Sequence, residues 1–171
     1  SVLPLCRGIF ANGNAMRIVE SVDRTVMNAR IVSINISDKK GVRKKAVDHA
    51  VIRENYGIES DAHASEKWHR QISLLALESI EKMQAMGLKV GPGDFAENIT
   101  TQGIDLPVLP IGTKMTLGNE VEAEVSQIGK VCHTRCAIYH QAGDCVMPKE
   151  GIFIKVLKGG TIKTGDEIKV M

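Results

Sequence analysis

The sequence predicts a mainly β protein with a few short helices, its strands curled into a closed or nearly closed β-barrel. From Gly91 onward glycine recurs at short intervals, in Pro92-Gly93-Asp94, Thr101-Gln102-Gly103, Ile111-Gly112-Thr113 and Leu117-Gly118-Asn119, cutting the chain into brief segments. Between these turns Val121, Ala123 and Val125 alternate with Glu120, Glu122 and Glu124, the period of two that marks a half-buried strand. Helical spacing, by contrast, is sustained in only one stretch. Many short strands with few helices favour a barrel over a layered αβ sheet.

The elements follow in chain order. Residues 1–26 show no sustained period and read as a vector-derived or disordered extension, with a single domain expected over 27–171. Val32, Ile34 and Ile36 then alternate as a strand. Asp38 to Lys45 holds five cations in eight positions, a solvated turn or a clamp for phosphate. Val47, Ala50 and Val51 fall at helical spacing, with Asp48 available as a cap and Gly57 as a stop, so a short helix or turn is expected there. Ile72 to Leu75 is a short apolar strand. Leu77, Ile80, Met83 and Gln84 follow at steps of three and four in a run rich in good helix formers, and Gly87 ends it, giving a helix over about residues 76–86. Gly159-Gly160 turns the chain between Ile152–Leu157 and the segments around Ile162 and Ile168.

Composition excludes several function classes. Twenty-two Lys and Arg against 20 Asp and Glu leave a net charge of +2, no electrostatic case for nucleic acid as the main ligand. The aromatic residues number six, too few for the stacking platforms of single-strand binders. No apolar run approaches the roughly 20 residues a bilayer span requires, and no secretory signal is recognisable, so the expected compartment is cytoplasmic. Cysteines there are usually reduced, which makes close thiols catalytic, metal-binding or simply buried.

Three of the four cysteines, Cys132, Cys136 and Cys145, fall within fourteen positions, beside His133, Arg135 and His140. A thiolate is a nucleophile, a soft-metal ligand and a sulfur carrier, and cations such as Arg135 and His133 favour it over the thiol. The spacing of Cys132 and Cys136 puts both on one face of a helix or a strand. Buried packing is one reading of the cluster, since free cysteine is often interior. Zinc held by the three thiols with His133 or His140 is another, although structural zinc sites usually pair their ligands as Cys-x-x-Cys. A cysteine hydrolase with His63 or His69 as base and Asp61 as its orienter is a third. Arg70, just ahead of an apolar strand, suits a bidentate anion contact or a pair with Asp94 or Glu97. The run Asp94 to Thr101 offers carboxylates, an amide and hydroxyls, either to a polar heterocycle or to its own turn backbone.

Five blocks, in order, resemble the MOSC domain, named for the C-terminal domain of molybdenum cofactor sulfurases: Asp61-Ala62-His63-Ala64, Trp68 to Leu75, Phe95 to Thr100, Gly129 to Cys136, and Gly143 to Phe153. The resemblance extends over about residues 29–170. It implies a β-barrel related to the barrel domain of pyruvate kinase, and a role in binding molybdenum cofactor (molybdopterin) or carrying sulfur for metal–sulfur centres. Arg135-Cys136 matches the position where amidoxime-reducing relatives ligate molybdenum, so Cys136 is the first choice for the functional thiol and the metal ligand, and Cys132 the second. Arg135 and His133 would stabilise the thiolate, with Cys145 sharing or resolving the sulfur. Arg70, His69, His63, Asn98, Lys39, Lys40 and Arg43, with their neighbours Lys44 and Lys45, would receive the cofactor's phosphate and pterin edges. The sequence contains no pyridoxal phosphate domain, so the resemblance implies a separate pyridoxal-phosphate-dependent cysteine desulfurase as sulfur donor and a molybdoenzyme as acceptor. A non-catalytic pterin-binding chaperone and a thiol-dependent enzyme reducing N-hydroxylated or electrophilic compounds are the rival readings.

Overall fold

The computed structural model describes residues 28–132 and 134–171. The N-terminal stretch read as an extension lies outside the described residues, as does His133. In chain order the elements are β1 (Arg30–Ile36), β2 (Lys45–Val47), β3 (His49–Arg53), β4 (Gly57–Ile58), β5 (Ile72–Ala76), α1 (Leu77–Ala85), β6 (Ile99–Gln102), a 3-10 turn (Leu106–Val108), β7 (Lys114–Leu117), β8 (Val121–Ile128), α2 (Ala137–Ala142), α3 (Met147–Glu150), β9 (Ile152–Lys158), β10 (Gly160–Lys163) and β11 (Ile168–Val170). The mainly β content with short helices is as the glycine-punctuated sequence requires.

The strands form two sheets, not a closed barrel. One has eight strands in the order β11-β7-β8-β9-β5-β6-β1-β2, the other three in the order β10-β3-β4. The edges of the larger sheet approach each other, since Arg30 and Glu167 form an isolated bridge and the Ile168 N–H donates to the Ala29 carbonyl at 2.7 Å. No continuous ladder follows, because β1 gives its Ile34–Ile36 half to β2 while β11 is paired along its length with β7.

Two segments depart from the sequence reading. The alternation of Val32, Ile34 and Ile36 locates β1 but not its inward face: Ile31 and Ile34 are fully buried, Val32 and Ile36 only partly. A register shift against β6 between Ile31 and Ser33 resets the phase of the strand. The helix expected around Val47 to Val51 is instead β2 and β3. There Ala50 and Ile52 point inward and His49, Val51 and Arg53 outward, and pairing with β10 over Ile52↔Gly160 to His49↔Lys163 satisfies the backbone. α1 forms where its spacing placed it, burying Ile80 and Met83.

The central strands separate two cores. Ile72, Leu74 and Ala76 of β5 and Ile152, Ile154 and Val156 of β9 face the main core with Val121, Ala123 and Val125 of β8. Leu75 and Phe153 face the other way, into a second core with Ile80 and Met83 of α1, Ile138 of α2, Met147 of α3 and Cys145. Strands covered on both faces read as continuous apolar runs, which is why β5 shows no alternation. The second core supports the cysteine segment. Among the described residues no helix is long and apolar enough to cross a membrane.

Candidate functional site

A cleft of about 470 Å³ opens on the second-core side of β5 and β9. Its walls carry Lys40, His63, Trp68, Arg70, Asn98 and Lys130. The register that sets Ser73 opposite Phe153 brings Arg70, just ahead of β5, over the Phe153 ring at 5.3 Å, and the same guanidinium lies 5.1 Å from the centre of the Trp68 ring. Asp94 pairs with Arg43 at 3.5 Å, while Glu97 accepts from the Gly93 and Phe95 amides and the Thr100 hydroxyl. Neither carboxylate is left for Arg70. Among the described residues Arg70, Lys40 and Lys130 form no ion pair, so three cations in one cleft retain their charge for an anion.

The loop leading into β5 is fastened at several points. Gln71 donates to Asn55 and to the Ser65 carbonyl and accepts from the Val156 N–H, and the Ser126 hydroxyl donates to the His69 carbonyl at 2.7 Å. His69 packs against Trp68 with centroids 4.7 Å apart and the rings tilted by 37°, and its buried Nδ1 has no hydrogen-bond partner among the described residues. Such fixation limits the rotamers Arg70 and Trp68 sample, which lowers the entropy lost when a ligand binds.

A second cavity, also about 470 Å³, adjoins the first and shares Gly41, Ala96, Lys130 and Met147 with it. It is more apolar, lined by Val42, Phe95 and Ile138, and it holds Cys132, Cys136 and Cys145. All three thiols also line a smaller hollow of about 220 Å³ with Tyr139 and Asp144. One groove therefore runs from the cations to the cysteines. Ala96, at the junction, has φ 60°, a left-handed conformation that non-glycine residues rarely hold outside constrained sites.

The thiols are not equivalent. Cys136 is exposed immediately before α2, Cys132 is exposed in the preceding loop, and Cys145 is buried in the second core. Burial, with a smaller contribution from Cys136 and Cys132, pushes the Cys145 thiol up. Arg135 lines the thiol cavity, with its guanidinium 4.3 Å from the centre of the Tyr139 ring. Cys132 and Cys136 both lie outside any helix or strand, so the shared helix or strand face expected for them does not arise. The backbone is anchored instead by Gly129, which accepts a place no side chain fits: a Cβ there would lie 2.3 Å from the Pro148 carbonyl oxygen.

Among the described residues no group of three or more His, Cys, Asp or Glu side chains is arranged to hold a metal, which removes the zinc reading for the three thiols with His140. No described histidine lines the cysteine cavities either, so the hydrolase pairing of a thiol with His63 or His69 does not form.

The basic loop divides. Lys40 lines the cationic cleft and Arg43 the apolar cavity, whereas Lys39 and Lys45 are solvent-exposed and line neither. Lys44 is buried and bonded to Asp61, so it is a structural cation and not a free clamp. Burial works to raise the Asp61 carboxyl, but hydrogen bonds from His63, Lys44 and the Ser37 amide, with the Lys44 charge, hold it well below the usual carboxylate range.

Asn98 lines the cleft at 1% exposure, with its amide in use. Its Oδ1 accepts from the Ser73 amide and hydroxyl, and its Nδ2 donates to the Asn35 carbonyl. Beside it a buried chain runs from Ser33 to Asn35 to Thr100 to Glu97. The polar run from Asp94 to Thr101 thus shapes the groove floor mainly by satisfying its own backbone. Lys130, Met147 and Phe153 were not singled out in the sequence. Lys130 meets the segment of Met147 and Phe153 through the pairing of β8 with β9, and all three lie inside the motif blocks and so carried a signal.

The profile of the MOSC domain matches residues 59–169 of the chain. Among solved structures the fold is similar to that of the YuaD protein from Bacillus subtilis, with a TM-score of 0.70 and 21% identity over 83% of this chain and 94% of that one. It is also similar to YiiM from Geobacillus stearothermophilus (TM-score 0.62, 22% identity, 84% of this chain and 75% of that one). YiiM from Escherichia coli aligns with a TM-score of 0.58 at 17% identity, over 83% of this chain and 69% of that one. At such identities the likeness is one of fold. No curated protein sequence matches the chain.

Proposed function

The chain belongs to the MOSC domain family, and from that premise we propose that its groove receives the molybdenum cofactor by its phosphate end while Cys136 carries sulfur toward a metal–sulfur centre. The observation that carries this reading is the continuity of the groove, in which a cleft whose three cations have no ion-pair partner among the described residues opens into a cavity lined by three thiols. That donor set fits the cofactor: Lys40, Arg70 and Lys130 suit a phosphate, the half-exposed Trp68 ring suits a flat heterocycle, and the thiols suit a soft metal or its sulfur. When bound, the cofactor would supply the metal centre that sulfur reaches or that the Cys136 thiolate ligates.

The chain's own chemistry in this reading is thiol exchange. The Cys136 thiolate attacks the outer sulfur of a persulfide on a separate pyridoxal-phosphate-dependent cysteine desulfurase. A new sulfur–sulfur bond forms at Cys136, the donor's bond breaks, and the donor leaves as its thiolate. Exposure of Cys136 permits that approach, and Cys132, which lines the same hollow, can share the sulfur. A molybdoenzyme would be the acceptor.

The test is sulfur loading. Incubated with a desulfurase and cysteine, the protein is expected to gain cyanide-releasable sulfur, and Cys136→Ala is expected to lose most of it. Equal loading of the two proteins overturns the assignment of Cys136. Retention of pterin affinity after all three thiols are changed to serine, with no loading of the wild type, would establish the non-catalytic binding module in its place.

A further inference from the structure

Behind the cationic half of the groove, Ser37 from just past the end of β1 and Asp61 and His63 from one loop converge on one ammonium group. Lys44 Nζ lies 2.6 Å from Asp61 Oδ1, 3.1 Å from Ser37 Oγ and 3.0 Å from His63 Nδ1. The side chains of Lys44 and Asp61 are 0% and 1% exposed, whereas that of His63 is 36% exposed and forms part of the cleft wall. Taking both charges of such a pair out of water is costly, and an apolar pair of similar volume would pack as well. What the ion pair provides is direction.

An ammonium has three protons and no lone pair, so every one of its close neighbours must accept. Asp61 takes one proton. The Ser37 hydroxyl donates to the Lys39 carbonyl at 2.8 Å, leaving its oxygen to accept the second. The third faces His63 Nδ1. The alternative partner for Nδ1, Asp61 Oδ2, is farther away at 3.7 Å, against 3.0 Å for the ammonium. The nearer ammonium favours Nδ1 as the lone-pair side of the ring and Nε2 as the protonated one, against a ring contact to Asp61 that would place the proton on Nδ1.

We propose that Lys44 and Asp61 are positioning residues for His63: they fix its Nε2–H tautomer so that the ring donates a hydrogen bond to a phosphate oxyanion held by Lys40, Arg70 and Lys130. This rests on the reading of the cleft as an anion site. The three cations supply charge and the imidazole supplies orientation, since a single N–H fixed in a ring points along one line while lysine ammonium groups do not.

Long-range nitrogen–proton correlation spectra of the full chain, labelled at histidine nitrogen, read the tautomer directly, and titration with inorganic phosphate reads the contact. The wild type is expected to show His63 protonated on Nε2 alone, with that resonance moving as phosphate binds. His63→Ala is expected to weaken phosphate binding about tenfold and His63→Gln, which keeps an N–H near the Nε2 position, to recover most of it. Lys44→Met is expected to give mixed tautomers; should it fail to fold, the wild-type spectrum still decides. A proton on Nδ1 in the wild type, or unchanged phosphate binding by His63→Ala where Arg70→Ala loses it, overturns the proposal and leaves the anion site standing. A wild type that binds no phosphate overturns both.

Discussion

Arg70 and Phe153 meet across the register of β5 and β9, the guanidinium 5.3 Å from the ring centre, and Trp68 adds a second ring at 5.1 Å. Two rings hold the cation without a carboxylate among the described residues that would neutralise it, so its N–H groups are not taken up by an ion pair. Arg70→Lys keeps the charge but loses the planar fork, and is expected to weaken inorganic phosphate binding by several-fold; Arg70→Ala should weaken it more than tenfold. Isothermal titration at fixed ionic strength checks both, and equal affinity of Arg70→Ala and wild type would remove Arg70 from the site.

The thiols differ in reach. Brief alkylation of the native protein followed by peptide mapping is expected to modify Cys132 and Cys136 and to spare Cys145, whose thiol is buried and pushed up. In denaturant the three should react alike. Early modification of Cys145 would show that the second core opens around it.

Asp61 and Glu97 pull the pH dependence of stability in opposite directions. The native Asp61 carboxyl lies below its unfolded value, so its contribution is fully present above about pH 3.9 and is lost as pH falls toward the depressed native value. Burial raises Glu97, so the folded state holds that proton more tightly, and its contribution drains away as pH rises from about 4.3 toward the raised native value. Asp61→Asn leaves Lys44 as a buried cation without its counter-charge and is expected to cost about 3–5 kcal/mol at neutral pH. Glu97→Gln should flatten the fall that begins above about pH 4.3. Urea unfolding across a pH series measures both limbs.

Gly93 carries the backbone contact that docks the basic loop. It has φ 88°, its carbonyl accepts the Lys44 N–H at 2.9 Å, and a Cβ there would stand 2.4 Å from the Lys44 carbonyl oxygen. Gly93→Ala is expected to destabilise by roughly 1–3 kcal/mol from the backbone conformation alone, with the overlap adding to it. It should also loosen the groove wall, so phosphate affinity falls with stability. Thermal unfolding beside a phosphate titration tests the coupling.

The local signals were legible because they depend on neighbours in sequence. The inward face of β8 follows from the alternation of Val121, Ala123 and Val125, and α1 from the spacing of Leu77, Ile80 and Met83. Short apolar spacing is ambiguous where sheet pairing decides: Val47, Ala50 and Val51 fit a helix, yet β10 lies alongside to pair with them as a strand. The phase of β1 was illegible for the same reason, since the bulge opposite β6 is a property of two strands.

What the sequence by itself determined is the strand-rich class, the family and the chemical inventory of cations and thiols, since composition and motif order survive without coordinates. Only the tertiary structure decided how that inventory is spent. Lys44 and Lys40 stand four positions apart in one basic loop, yet one is buried on Asp61 and the other faces the cleft. Cys136 and Cys145 line one hollow, yet only Cys136 is exposed. Burial and partnership come from contacts between distant segments, and those contacts, not residue type, decide which charge or thiol is free to act.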